Sequence, residues 1–229
     1  MSNKSLCLIF LSLIISTILI CRVRADNEKS ESSSDIIYFE DYVSAIEDET
    51  ESRFHKAREY FFKNDYEAAA KEIHKGAVFL RLESGWATKE GKGPLIASAR
   101  ELDILADEVE KGEVASVKDL DQAFSRAHFA LARHYRLRAS ESEVKKAYEK
   151  LGTELKAAAK HLNHALLWSG DKIESGLREI RKDVQIFEEK LVEGGKWVHD
   201  EANRIIKYID KEIEKFNKKT EPEKKQTDP

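Results

Sequence analysis

From residue 36 to residue 217, apolar side chains recur at three- and four-residue intervals between charged ones, which is the signature of amphipathic helices rather than strands. A first helix is expected from the Ile36–Ile46 region to Phe62, with the acidic stretch Glu47-Asp48-Glu49-Thr50-Glu51 as a candidate break. Asn64-Asp65 then reads as a turn. Tyr66, Ala69, Ile73, Ala77 and Leu80 form one apolar face of a second helix, which Gly85 closes. Residues 85–94 form a Gly-rich connector, with Pro94 placed in the first turn of a third helix that stops at Gly112.

Ser116 and Asp119 have the spacing of a capping box and start a fourth helix with the stripe Val117, Leu120, Phe124, Ala127, Leu131 and Tyr135. A second box-like stretch, Ser140 to Glu143, predicts a new start or a bend there. Val144, Tyr148, Leu151, Leu155, Ala158, Leu162 and Ala165 make the seam of a fifth helix, which ends at Trp168-Ser169-Gly170. Ile173, Leu177, Ile180, Val184, Phe187 and Leu191 then follow a heptad pattern of the coiled-coil kind. After Gly194-Gly195 the stripe Val198, Ala202, Ile205, Ile209, Ile213 and Phe216 shifts to an eleven-residue period. A straight helix over 171–217 would be about 70 Å long, so a hinge at Gly194-Gly195 is expected. The fold class is therefore all-α: antiparallel helical hairpins in a bundle over 36–170, and a long amphipathic helical segment over 171–217 that breaks at Gly194-Gly195 if it folds back on the bundle.

The two ends of the chain read differently. Residues 6–20 are apolar, follow Lys4 and precede Val23-Arg24-Ala25, which has the form of a secretory leader cleaved after Ala25. This fifteen-residue run falls short of the roughly 20 that a spanning helix needs. Residues 26–35 and 218–229 are polar and of low complexity, and are expected to be disordered. The expected destination is the bacterial periplasm, with secretion as the alternative. Both cysteines, Cys7 and Cys21, lie in the leader, so the exported chain has no disulfide available.

Removing residues 1–25 takes away three cations, which leaves 36 Lys and Arg against 43 Asp and Glu and a net charge of −7. With the signs interleaved, no basic stripe for nucleic acid emerges. Ala57-Arg-Glu-Tyr60 recurs as Ala132-Arg-His-Tyr135, a hint of a duplicated hairpin. Within residues 54–85, Ala57, Tyr60, Asp65-Tyr66, Ala69 and Ile73 occupy the small, aromatic and turn positions of a tetratricopeptide repeat, so this segment resembles such a helical hairpin. The resemblance implies helix-turn-helix packing and binding to another protein.

Chemistry is sparse. No His-Glu-x-x-His, Glu-x-x-His, Gly-x-Ser-x-Gly or Cys-x-x-Cys-His motif occurs, and the only methionine is the initiator, so no enzyme, haem or other cofactor is expected. The histidines are the one group that hints at a site, with His128, His134, His161 and His164 as the candidate metal ligands. A hairpin turning near residue 141 would put His161 about 10 Å along the axis from His128, too far for a shared ion. Trp86, Trp168 and Trp197 are expected to cap cores. The leading expectation is a non-catalytic exported interaction or scaffold protein, with a protein partner or a second copy meeting the seam Ile173–Phe216, unless the bundle itself covers that seam. The alternatives are a helical bundle binding metal, haem or a small ligand around His128, His134 and His161, and a protein lying on a membrane surface through its C-terminal helix.

Overall fold

The computed structural model describes residues 33–170, 182–187 and 196–220. The expected leader, most of the expected 26–35 spacer, the expected hinge at Gly194-Gly195 and the last nine residues of the tail lie outside them. Among the described residues every regular element is an α-helix, and none is long and apolar enough to cross a membrane.

Helix α1 runs unbroken over Ser33–Phe62. It starts three residues inside the expected spacer and continues straight through Glu47 to Glu51. The acidic stretch does not break it because its residues divide between two environments: Glu47 and Thr50 are buried, whereas Asp48 and Glu49 face solvent. Asn64, at φ 58°, makes the turn, and Asp65 caps α2 (Tyr66–Ser84) by accepting the Ala68 N–H at 3.2 Å.

Helix α3 spans Lys89–Glu110 and begins five residues before Pro94, not at it. Thr88 supplies the reason: its hydroxyl accepts the Gly91 N–H at 3.0 Å and starts the helix early, leaving Pro94 to omit a single interior bond. Gly112, at φ 70°, takes the chain out of α3. Ser116 and Asp119 do form the box: the Asp119 carboxylate accepts from the Ser116 N–H at 3.2 Å and from its hydroxyl at 2.9 Å. Helix α4 (Val117–Val144) continues through Ser140–Glu143 with no new start and ends only at Lys145. Lys146, at φ 57°, makes the turn into α5 (Tyr148–Trp168). Residues 182–187 are helical, and α6 covers Lys196–Thr220, three residues further than expected.

The α2/α3 and α4/α5 pairs are antiparallel hairpins, α3 lies against α4, and α6 packs on both α4 and α5. Two apolar clusters result. One joins Phe54 and Ala57 of α1 to α2, α3, the first half of α4 and Trp168. The other joins Val43 to the second half of α4, to α5, and to Val184, Phe187 and the α6 side chains Ala202, Ile205, Ile209, Ile213 and Phe216. Phe54 stacks on Phe124 at 4.3 Å in the first, and Phe129 on Phe216 at 4.1 Å in the second. The part of the C-terminal seam that can be seen is therefore used internally, and each buried isoleucine there stabilises the fold by about 1.5–3 kcal/mol.

Candidate functional site

Between the two apolar clusters lies a buried polar layer. The inward face of α1 reads Val43, Ile46, Glu47, Thr50, Glu51, Phe54 and Ala57, so the two apolar ends of this stripe bracket three polar residues. Opposite them stand His128 of α4 and Lys160, His161 and His164 of α5. His128 and His161 have no exposed surface at all.

The contacts form a chain. Lys160 Nζ meets Glu47 Oε2 at 3.0 Å, and His164 Nε2 lies 3.7 Å from Glu47 Oε1. His164 Nδ1 is 3.2 Å from Glu51 Oε1, and His128 Nε2 is 2.8 Å from Glu51 Oε2. The Trp168 indole N–H donates to the same oxygen at 3.0 Å. His128 Nδ1 and His161 Nδ1 are 3.0 Å apart. Since a carboxylate can only accept, His128 carries its proton on Nε2, so its Nδ1 accepts from the Nδ1–H of His161. The far nitrogen of His161, Nε2, is left as a lone pair.

A second buried group stands beside the first. The Glu83 carboxylate, with no exposed surface, accepts from His134 Nε2 at 3.0 Å and from the Tyr42 hydroxyl at 2.9 Å. The Tyr135 ring lies flat on His161, with centroids 5.6 Å apart and an interplanar angle of 11°, and contacts the His134 ring at 4.8 Å.

Protonation follows from these surroundings. Burial pushes His128 below the ordinary histidine range, against the opposing pull of Glu51. Burial pushes His161 down further, and the neighbouring histidines add to the effect. For His164 burial also works downward, but hydrogen bonds to Glu47 and Glu51 outweigh it and push the group up to about 9. Burial would raise Glu51, yet the hydrogen bonds from His128 and His164 hold it well below the carboxylate range. Tyr42 and Tyr135 are pushed up by burial and by the Glu83 charge. At neutral pH Glu51 is thus ionised beside a charged His164, with His128 and His161 neutral.

Of the four candidate histidines, His128, His161 and His164 come together, whereas His134 pairs separately with Glu83. The expected 10 Å gap between His128 and His161 is overturned. The chain turns at 145–147 rather than near 141, and a turn displaced by about five residues moves the facing register by about ten, so His161 stands level with about residue 131. Among the described residues no group of three or more His, Cys, Asp or Glu side chains is arranged to hold a metal ion. The surface histidines His55, His74 and His199 contact Glu51, Asp103 and Glu143. Trp168 is buried as expected, Trp86 is half exposed, and the Trp197 side chain lies outside the description.

Sequence reasoning missed Glu47, Glu51 and Glu83. Glu47 and Glu51 continue the three- and four-residue spacing of Val43, Phe54 and Ala57, a signal that could have been read by following the stripe through the acidic run. What the layer can do chemically is take up, share and release protons: no nucleophile with an activating base is part of it. Comparison with known proteins finds no family that matches the chain, and no curated protein or solved structure similar to it.

Proposed function

We propose that this chain is an exported, non-catalytic helical protein of the bacterial periplasm that acts as an acid-responsive interaction module. The observation that carries this reading is the His128–His161 pair, two neutral imidazoles 3.0 Å apart with no exposure to solvent. A core held together only for stability has no need of such a pair, because an apolar pair of the same volume would pack there without desolvating polar nitrogens. Buried neutral histidines instead make the fold conditional on pH, since acid must place charge where it is poorly solvated. The leader pattern supports export, and the tetratricopeptide-like hairpin at residues 54–85 supports binding to a protein. The seam side chains Ala202 to Phe216 are covered by the chain's own core, so the partner surface belongs to the outer faces of the bundle.

Trp168, whose indole N–H sits on Glu51, is a built-in reporter of the layer. Its fluorescence, followed on the purified protein from pH 8 down to about 4.5, is expected to change reversibly below about pH 6.5 while the far-ultraviolet helical signal persists. A flat fluorescence trace across that range would overturn the acid reading. Recovery of the precursor alone, with residues 1–25 intact in the cytoplasm, would overturn export.

A further inference from the structure

The outer side of the α2/α3 hairpin exposes apolar side chains that the buried layer does not use. Val78, Leu82 and Trp86 are 48%, 38% and 48% exposed and follow one another at four-residue steps, along α2 and into the turn after it. Val78 and Leu82 stand on the side of α2 turned away from Ile73, Ala77 and Leu80, which have no exposed surface. The stripe is therefore a crest, not a groove between helices.

The charges left available beside it are positive. Between residues 71 and 100 the acids are Glu72, Glu83 and Glu90. Glu72 and Glu83 are buried, and Glu90 reaches across to Arg133 of α4 at 3.0 Å. Of the six cations in the same stretch, Lys75 and Arg81 pair with Glu72 and Asp103. The other four, Lys71, Lys89, Lys92 and Arg100, are exposed and make no ion pair among the described residues. Lys71 precedes Val78 by seven residues, two turns away on the same side of α2. At about 100° per residue, Lys89, Lys92 and Arg100 fall within about 60° of Asp103 around α3. Asp103 is the residue that meets His74 and Arg81 of α2, so these cations line the α3 edge bordering the crest. They do so in a chain whose net charge is −4.

One indole and two aliphatic side chains among unpaired cations complement an apolar layer edged by negative charge. A helical partner would call for a groove to lie in, whereas a crest suits a surface that yields around it. We propose that the outer face of the α2/α3 hairpin docks on an anionic phospholipid bilayer. Val78, Leu82 and Trp86 enter the headgroup boundary, while Lys71, Lys89, Lys92 and Arg100 meet lipid phosphates. Tryptophan suits that depth, since its ring is apolar and its N–H polar. The C-terminal helix is not the contact, because Ala202, Ile205, Ile209, Ile213 and Phe216 face the core. This docking goes beyond the acid reading and does not depend on it.

Cosedimentation of the purified protein with lipid vesicles at pH 7 tests the docking. Binding is expected to phosphatidylcholine vesicles containing about one-third phosphatidylglycerol and not to pure phosphatidylcholine. It should fade toward about 1 M salt, where the screening length falls to about 3 Å. Each cation at such a surface is worth about fivefold in affinity, so Lys89→Gln with Lys92→Gln should weaken binding about 25-fold. Leu82→Glu should abolish it. Both variants alter exposed side chains and are expected to keep the helical signal and urea midpoint of the unsubstituted protein. Absence of binding to the anionic vesicles overturns the proposal, and so does equal binding to both vesicles or binding that the variants retain. If the vesicles are ignored and polyglutamate is bound through the same lysines, the face belongs to an acidic protein segment and the proposal falls. The acid transition of Trp168 fluorescence is read without lipid, so its failure and the failure of docking are told apart.

Discussion

Replacing His161 by leucine is expected to halve the steepness with which this protein loses stability in mild acid. In the native fold His128 and His161 titrate below the ordinary value of about 6.5, so between 6.5 and their native values the unfolded chain binds more protons than the folded one. Their contribution is present above 6.5 and is lost as the pH falls. Each group contributes a slope of about 1.4 kcal/mol per pH unit, so the pair together gives about 2.7 kcal/mol per unit. The fold cannot escape by charging both histidines, because two unit charges 3.0 Å apart repel by about 5 kcal/mol at an effective dielectric of about 20. Wherever the pH lies below 6.5 and above both native values, each further unit of acid therefore removes a large part of the 5–15 kcal/mol by which such domains are stable. In His161→Leu only His128 remains, and the slope falls to about 1.4 kcal/mol per unit. At pH 7 the variant also leaves His128 Nδ1 without its donor, a penalty that leucine burial partly offsets. Urea unfolding followed by circular dichroism at pH 7, 6 and 5 measures both slopes. Parallel stability lines for the two proteins would refute the reasoning, since His161 would then carry no proton linkage.

On the alkaline side the sign reverses for His164. Its native value of about 9 lies above the unfolded one, so its contribution is full below 6.5 and disappears as the pH rises through 9, about 3 kcal/mol in all. His164→Gln should be less stable at pH 7 and flat between pH 7 and 9, as read by the same unfolding experiment; a decline equal to that of the unsubstituted protein would refute the assignment. Gly76→Ala places a Cβ 2.4 Å from Phe54 Cε1, where Phe54 is wedged against Phe124, and should cost about 1–3 kcal/mol in urea unfolding at pH 7. Ile209→Ala removes a side chain with no exposed surface from the cluster that α6 shares with α4 and α5. Its expected cost of about 2–5 kcal/mol distinguishes a helix built into the core from one held out for a partner, for which thermal melting would show almost no change.

The helices and most of their ends were legible because their causes are local. Asn64-Asp65, Gly85, Gly112 and the Ser116/Asp119 pair set the boundaries through turn geometry and capping bonds made within a few residues, and the apolar stripes name the buried faces of α2, α4, α5 and α6. Where local signals misled, the competing signal was also local. Thr88 captured the start of α3 ahead of Pro94, and Ser140–Glu143 had the composition of a cap but lay within a helix whose buried face carried on through Ala139 to Ser142.

The polar layer belongs to another level. Nothing in the spacing of His128 and His161 says that their rings meet, because that depends on where the α4/α5 hairpin turns, and every residue of error in the turn displaces the facing register by two. Nothing local says that Glu47 and Glu51 point inward, since a charged residue is ordinarily a solvated one. By itself the sequence determined the helical class, the punctuation between helices and the supply of ionisable side chains. Only the packing of α1 across α4 and α5 decided which of those side chains are removed from water together, and it is that shared desolvation that turns scattered histidines and glutamates into a linked, proton-sensitive core.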